Sequence, residues 1–473
     1  MTSLQLTLAA GVFLLSVVLG RCAYFDTPRA RTADFAVIFT GLWLGAGPWI
    51  QAGMAGWQLP TLDKGLAIGA YMAIALYICG LFVGKLLIGN KHKNQNYWTY
   101  FSLARSVSSA RVILLLFVTL GLRLFIGYKY GIFFSGDGTA DLVESLPYYI
   151  VIAQAVAVFM ETAAQVWAVS VLASDEKKRR KYVALVVLAI ELAIAFIQGR
   201  RWLMELGVLF LLAAVLFNKR YRILSLRRKV MALGFVAICI GLFPVFVTLR
   251  QTYQGQGGSG NPIQRLAEAA DDLSRQFSWQ SALTENRTNM EERLDYIKPI
   301  ATIEAAQKDT PYMYGWATLY SFLYSLPRPV YPFKNTIPKI LVSTHYGVMD
   351  FDWMNTWVSY GVADAGIAGA FLIGLMFSCL MGLSEIWLMR SFGGAKLIAL
   401  AGAGNLFGLA FAVEADPSSL WNYLKIMVIL FFVSKASSLC RGQSHKGRPT
   451  QASPPPKIRK ISTNSVRETN TGL

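Results

Sequence analysis

Long apolar runs alternate with short, mostly basic turns over nearly the whole chain, and one long polar stretch interrupts them. A helix needs about 20 mostly apolar residues to cross a bilayer. By that rule the runs at 3–20, 35–57, 65–89, 111–131, 147–173, 182–198, 202–217, 230–249, 364–388, 397–415 and 418–438 predict about eleven spans. The expected fold is an all-α polytopic membrane protein with one large loop of short amphipathic or re-entrant helices. Its parts are spans one to eight over 1–249, the loop over 250–353, spans nine to eleven over 354–440, and a tail over 441–473.

The basic clusters orient this pattern. They are Arg21/Arg29/Arg31, Lys91/Lys93/Arg105/Arg111, Lys177 to Lys181, Lys219 to Lys229, Arg390/Lys396 and the tail, and all fall on one side if the spans simply alternate. Lysine and arginine mark the cytoplasmic side, so the N-terminus is expected outside and the C-terminus inside. The first run lacks a basic segment before it and a small-residue cleavage site after it, and reads as a span rather than a cleaved signal. The tail sets seven Lys and Arg against Glu468 and contains Pro454, Pro455 and Pro456. That composition buries no core, and disorder is expected there.

Composition agrees. The chain is 54% hydrophobic and 15% charged, with a formal net charge of +18. Its mean hydropathy is +0.43. The positive charge lies in the turns, which makes it topology information and argues against a nucleic-acid partner. The five cysteines, Cys22, Cys79, Cys239, Cys379 and Cys440, lie in or beside apolar segments without metal-ligand spacing.

The polar loop opens on a flexible joint, Gly255 to Gly260. From Pro262 to Ile300 the spacing predicts helix, with Ile263, Leu266, Ala267, Ala270 and Leu273 on one face. Tyr312 to Leu326 is aromatic and apolar, and reads as an interfacial or re-entrant segment. Pro327, Pro329 and Pro332 then impose an extended strip carrying Arg328, Tyr331 and Lys334.

Candidate chemistry gathers on the outer side. Gly199-Arg200-Arg201 joins the sixth and seventh spans there, against the charge rule. Long arginine stems snorkelling to headgroups are one explanation. The other is a guanidinium fork for an anionic headgroup, which Arg matches bidentately. Arg250 ends the eighth span on the same side, and Arg328 and Lys334 lie in the loop, so these cations form a candidate pyrophosphate site. His345 is the histidine outside the basic segments and a candidate base, with Asp350, Asp352 and Glu414 as rivals. Asp350-Phe351-Asp352 has the look of a metal motif, but no further ligand is fixed nearby, and neither metal nor cofactor is expected. Arg123, Glu161, Glu191 and Glu205 fall at membrane depth, where they should face one another or a wet cavity; Arg123 and Glu161 are both mid-span and form a candidate couple.

The outer Gly-Arg-Arg, the arginine ending the span before the loop, Leu-Pro-Arg-Pro-Val-Tyr-Pro-Phe-Lys at 326–334, and Asn355-Thr-Trp-Val-Ser-Tyr-Gly361 with Gly366 and Gly369 resemble the Wzy-type polymerases. These are O-antigen and exopolysaccharide repeat-unit polymerases, and the resemblance covers roughly residues 180–390 and the span layout. It implies a metal-independent GT-C-type glycosyltransferase in the bacterial inner membrane, acting at its periplasmic face on undecaprenyl-pyrophosphate-linked glycans. The growing chain would pass from its lipid pyrophosphate to the non-reducing end of a new repeat unit. Arg200 or Arg201, Arg250 and Arg328 would then be pyrophosphate ligands, membrane lipids the surroundings, and a polysaccharide co-polymerase and a flippase the partners. The related O-antigen ligases use a loop histidine as base, within a pattern that this chain breaks at Asp352. A flippase or transporter is a further alternative, against which stand the long one-sided loop and the lack of an inverted repeat.

Overall fold

The structure, a computed structural model, describes residues 2–21, 30–53, 62–88, 97–130, 146–174, 176–198, 262–276, 278–280, 297–326, 330–334, 336–348, 356–392, 395–413 and 417–445, with isolated positions at 230, 234, 245, 248, 249 and 252. Every described element is helical: α1 Thr2–Leu19, α2 Thr32–Ala52, α3 Lys64–Ile88, α4 Tyr97–Arg105, α5 Ser109–Tyr130, α6 Tyr148–Ala173 and α7 Lys178–Gln198. After these come α8 Pro262–Gln276, α9 Ile297–Ala306, α10 Trp316–Ser325, α11 Pro338–His345, α12 Trp357–Phe392, α13 Lys396–Phe411 and α14 Pro417–His445.

Six stretches among the described residues are helical, long and apolar enough to cross a membrane: α2, α3, α5, α6, α12 and the first part of α14, Pro417–Lys435. Residues 3–19 of α1 and all of α13 are apolar but shorter. The protein is thus an all-α, multi-pass membrane protein. The helix over the expected sixth span, α7, begins Lys-Arg-Arg-Lys and is not among the six. The expected spans at 202–217 and 230–249 fall almost wholly outside the described residues. Helix α14 continues to His445, beyond the 440 boundary at which the disordered tail was expected. Residues 1–431 form one compact unit, and 432–473 a second that holds the end of α14.

Within the first unit α6 is the central column. Every residue from Glu161 to Val171 is buried, so this stretch faces protein all round. Helices α4, α5, α7 and α13 surround it. Trp167 is fully buried there and donates through Nε1 to the Val107 carbonyl at 3.2 Å. Beside this column α3 and α12 form the most extensive helix pair. Tyr77 meets Gly374 and Ile88 meets Gly382, so the two run parallel.

Helix α12 is broken near its start. Ala365 (φ −153°, ψ 33°) and Gly366 (φ 61°, ψ −151°) leave helical geometry, and the chain reverses there. The short limb 357–364 lies back along the long limb 367–392, with the Trp357 and Phe377 rings 4.2 Å apart across twenty residues of sequence. A straight helix would separate those positions by about 30 Å. The hairpin closes because Gly361 and Gly369 have no side chains: a Cβ at 369 would sit 1.9 Å from the Gly361 carbonyl oxygen. Of α12, only the limb 367–392 has the length to cross a membrane; the short limb folds back along it. The ninth span, expected to begin at 364, therefore begins after a break that its continuous apolar character hides.

The end of the bundle away from this break is tied by charge. Lys85 binds Asp34 at 2.5 Å, and Glu385 accepts from the Thr32 backbone N–H at 2.9 Å and from the Thr32 hydroxyl.

Candidate functional site

Helices α9, α10 and α11 and their connections form a lid over the break in α12. The short limb's last carbonyls are orphaned when its helix stops, and the lid supplies their donors. Gln307 Nε2 donates to Val362 O at 2.6 Å, Met313 N–H to Ala363 O at 3.0 Å, Tyr346 O–H to Ala363 O at 2.7 Å, and Tyr314 N–H to Asp364 O at 2.9 Å. Tyr314 takes a left-handed φ of 49° to do so, followed by Gly315 at 88°. A left-handed turn at a residue with a Cβ is costly and persists only when its surroundings enforce it.

The clamp is reciprocal. Gly315 caps α10 without a side chain, and the Asp364 carboxylate takes that role from the other limb. It accepts from Ala317 N–H at 2.8 Å, Thr318 N–H at 3.1 Å and the Thr318 hydroxyl at 2.6 Å. At the far end of α10, Lys425 of α14 donates through Nζ to Ser325 O at 2.5 Å and to Asn422 Oδ1 at 2.7 Å. Phe322 packs edge-on against Trp421 at 4.8 Å beside it.

Lys334 of the proline strip joins this end. Its ammonium stands 5.0 Å from the Tyr324 ring centre and close enough to Lys425 for the two like charges to repel. The strip is anchored by Tyr320, whose hydroxyl donates to Thr336 O at 2.6 Å, and by the Tyr320–Tyr331–Phe333 ring series. Tyr314 and Phe333 project from the lid, 80% and 69% exposed. Two cations converging beside aromatic rings form a place for an anion, since a bound negative charge removes their mutual repulsion. An ammonium carries three donors, and the two bonds of Lys425 leave its third N–H for such a ligand.

His345 is ordered differently from the exposed loop base that the sequence suggests. Its Nε2 lies 2.9 Å from Pro311 O and its ring packs edge-on against Tyr346 at 4.7 Å. A carbonyl only accepts, so Nε2 carries a hydrogen in this contact. Tyr346 is held above the ordinary phenol range, chiefly by burial, and acts as a donor. Arg200, Arg201, Arg250, Arg328, Asp350, Asp352 and Glu414 lie outside the described residues. Of the expected pyrophosphate ligands and bases, the structure therefore describes Lys334 and His345. Among the described residues no group of three or more His, Cys, Asp or Glu could hold a metal ion.

Three residues absent from the sequence-based candidates belong to this region. Lys425 is a charge eight residues into the apolar first part of α14, a signal the cost of burying charge makes readable. Asp364 sits at the boundary of the polar loop and the next apolar run. Glu304 of α9 lies against α3, where a Cβ at Gly69 would be 2.2 Å from its Oε2. Glu304 Oε1 is buried without a hydrogen-bond partner, and burial raises the carboxyl to about 7.

Two loop readings change. Helix α8 ends at Gln276, Ser278 is non-helical, and helix is described again at Trp279 and Gln280 and from Ile297; residues 281–296 lie outside the described residues. Among the described side chains of α8, Ala269 is buried while Ala267 and Ala270 are exposed. The segment over 312–326, expected to be interfacial or re-entrant, is a turn followed by α10, and 357–364 is a short helical limb folded back on the rest of α12.

At membrane depth, Arg123 of α5 pairs with Glu161 of α6, the couple expected from their mid-span positions. Glu191 of α7 accepts from Gln165 Nε2 at 2.9 Å on the same face of α6, and Glu205 lies outside the described residues. No protein-family model, curated protein or solved structure matches this chain.

Proposed function

We propose that the protein polymerises undecaprenyl-pyrophosphate-linked oligosaccharide repeat units at the periplasmic face of the bacterial inner membrane, for O-antigen or exopolysaccharide synthesis. The observation that carries this reading is the approach of Lys334 and Lys425 under an aromatic lid on a membrane-helix bundle. A lipid-linked pyrophosphate needs cations at that depth, and exposed rings such as Tyr314 and Phe333 suit the apolar faces of sugars.

In the step itself, the bond between the donor sugar's anomeric carbon and pyrophosphate oxygen breaks. A bond forms from that carbon to an acceptor hydroxyl oxygen, whose proton passes to a base, and lipid pyrophosphate leaves. Lys334 and Lys425 would neutralise the charge growing on the leaving group, the larger part of the effect for so good a leaving group. Arg200, Arg201, Arg250 and Arg328 are the further cations assigned to this role from the sequence. His345, held through Nε2–H, would offer Nδ1 as proton acceptor. That ordered imidazole also favours, as a second reading, an O-antigen ligase, which differs in its acceptor.

The test is turnover by purified protein in bilayer nanodiscs given lipid-linked repeat units, alone or with a lipid-anchored core acceptor. A ladder of longer lipid-linked glycans is expected from repeat units alone, with Lys425→Met and Lys334→Met each slowing it by about 10²-fold. Product on the core acceptor alone would assign the ligase. No product with either acceptor, or a wild-type rate in the double lysine variant, refutes the site.

A further inference from the structure

The membrane-depth cluster of α5, α6 and α7 has no part in the reaction proposed above. Its members are Arg123, Glu161, Gln165 and Glu191, and both carboxylates are fully buried. Arg123 Nη1 donates to Glu161 Oε2, and Gln165 Nε2 donates to Glu191 Oε2 at 2.9 Å. That leaves one oxygen on each acid, Glu161 Oε1 and Glu191 Oε1, both buried and both without a partner. The two acids lie near enough to repel one another, and both feel the Arg123 charge.

Charge and hydrogen-bond counting reach the same conclusion. One guanidinium against two carboxylates leaves a net negative charge where no water reaches, among the most expensive arrangements in a protein interior. Among the described residues, no other neighbour supplies the missing cation. Helix α13 faces α6 here with neutral Asn405, which is bonded to Thr162, Phe159 O and Ala401 O. Arg105 of α4 is engaged with Glu176 beyond the end of α6. A single proton resolves both counts. On Glu191 Oε1 it makes that acid neutral, turns the oxygen into a donor, and gives it the other unpartnered oxygen, Glu161 Oε1, as acceptor.

We propose that Glu191 and Glu161 form a proton-binding site, in which one proton resides on Glu191 at neutral pH and bridges to Glu161. Arg123 selects the protonated member: it binds Glu161 directly and keeps that acid ionised. A sodium ion fits less well, because it seeks five or six oxygens and the described cluster offers two unpartnered ones. With the proton bound the cluster is neutral, and α5, α6 and α7 pack at membrane depth without water. The site is independent of the glycan chemistry.

The asymmetry between the two acids is the test, using full-length protein in nanodiscs at neutral pH. Glu191→Gln replaces a neutral O–H donor by a neutral N–H donor, so Tm is expected to stay at the wild-type value. Glu161→Gln strips Arg123 of its counter-charge, so Tm is expected to fall. Equal falls in both variants, or no fall in Glu161→Gln, overturn the proposal. A second readout does not depend on the stability of Glu191→Gln: the infrared carbonyl band of a protonated carboxylic acid should shift in Glu191→Asp and persist in Glu161→Gln. A band unchanged by Glu191→Asp overturns the assignment, as does a Tm that rises with sodium over potassium at constant ionic strength.

Discussion

Asp364 is the most informative residue to perturb, because it fastens the lid without being part of it. Its carboxylate holds three donors at the head of α10: Ala317 N–H at 2.8 Å, Thr318 N–H at 3.1 Å and the Thr318 hydroxyl at 2.6 Å. Hydrogen bonds to a charged group contribute about 1.5–3 kcal/mol each, and a helix N-cap about 0.5–2 kcal/mol. Asp364→Ala removes all of them and is expected to cost the docked lid about 3–5 kcal/mol. Asp364→Asn keeps one oxygen for Ala317 but turns an NH₂ toward the Thr318 N–H, for a cost of about 2 kcal/mol. Since each 1.4 kcal/mol is tenfold in an opening equilibrium, hydrogen exchange of 316–325 should quicken by about 30-fold in Asp364→Asn. Helix α13, with no bond to the lid among those described, is the internal control. Unchanged exchange in α10, or an equal rise in α10 and α13, refutes the reading of Asp364 as a local clamp.

Two further perturbations address the break and the acid beside it. Gly369→Ala places a methyl 1.9 Å from the Gly361 carbonyl, where the two limbs must part, so a cost of about 3 kcal/mol and a clear fall in Tm are expected. Gly121→Ala in α5, whose added methyl meets nothing within 4 Å, should leave Tm level or raise it slightly, and the reverse order would refute the hairpin packing. Glu304 titrates near 7 when folded against an ordinary value of 4.5. The folded state then holds the proton more tightly, so stability is full below about pH 4.5 and declines as pH rises toward 7. Glu304→Gln, which mimics the protonated acid, should match the wild-type Tm at pH 4.5 and exceed it at pH 8; matching at both values would refute the burial argument.

What could be read in the sequence was whatever the bilayer imposes. Run length marked the helices that cross, and the cost of membrane-depth charge predicted that Arg123 and Glu161 would face one another. The break in α12 was not legible, because Ala365 and Gly366 interrupt hydrogen bonding without interrupting hydrophobicity. A span is recognised by hydropathy, and hydropathy is blind to chain direction. Gly361, Gly366 and Gly369 beside Asp364 were the available signal: three residues without a Cβ, next to a carboxylate that would be costly if left unpaired. The lid was equally hidden, since it docks largely through the backbone groups of residues 313, 314, 317, 318 and 362–364, which no side-chain pattern reports. Lys425 was overlooked for the opposite reason. One lysine barely lowers the hydropathy of a long apolar run, although at that depth its position needs a partner.

These partners make α10 the hinge of the site. Its N-terminus, the positive end of a helix dipole, receives the Asp364 carboxylate from α12; its C-terminus, the negative end, receives the Lys425 ammonium from α14. Each charge has the sign that the dipole favours, so two membrane helices hold one short helix in a single direction. Lys425 then has two tasks that a simple cation site would not combine. Two of its bonds fix the end of α10 just before the proline strip begins, and its charge stands near that of Lys334. A bound pyrophosphate would draw Lys425 toward itself and loosen Ser325, whereas its departure would restore the repulsion from Lys334 and favour the bond to the lid. Lid position and site charge are therefore linked through one side chain, and the linkage needs no movement in the helices that surround it.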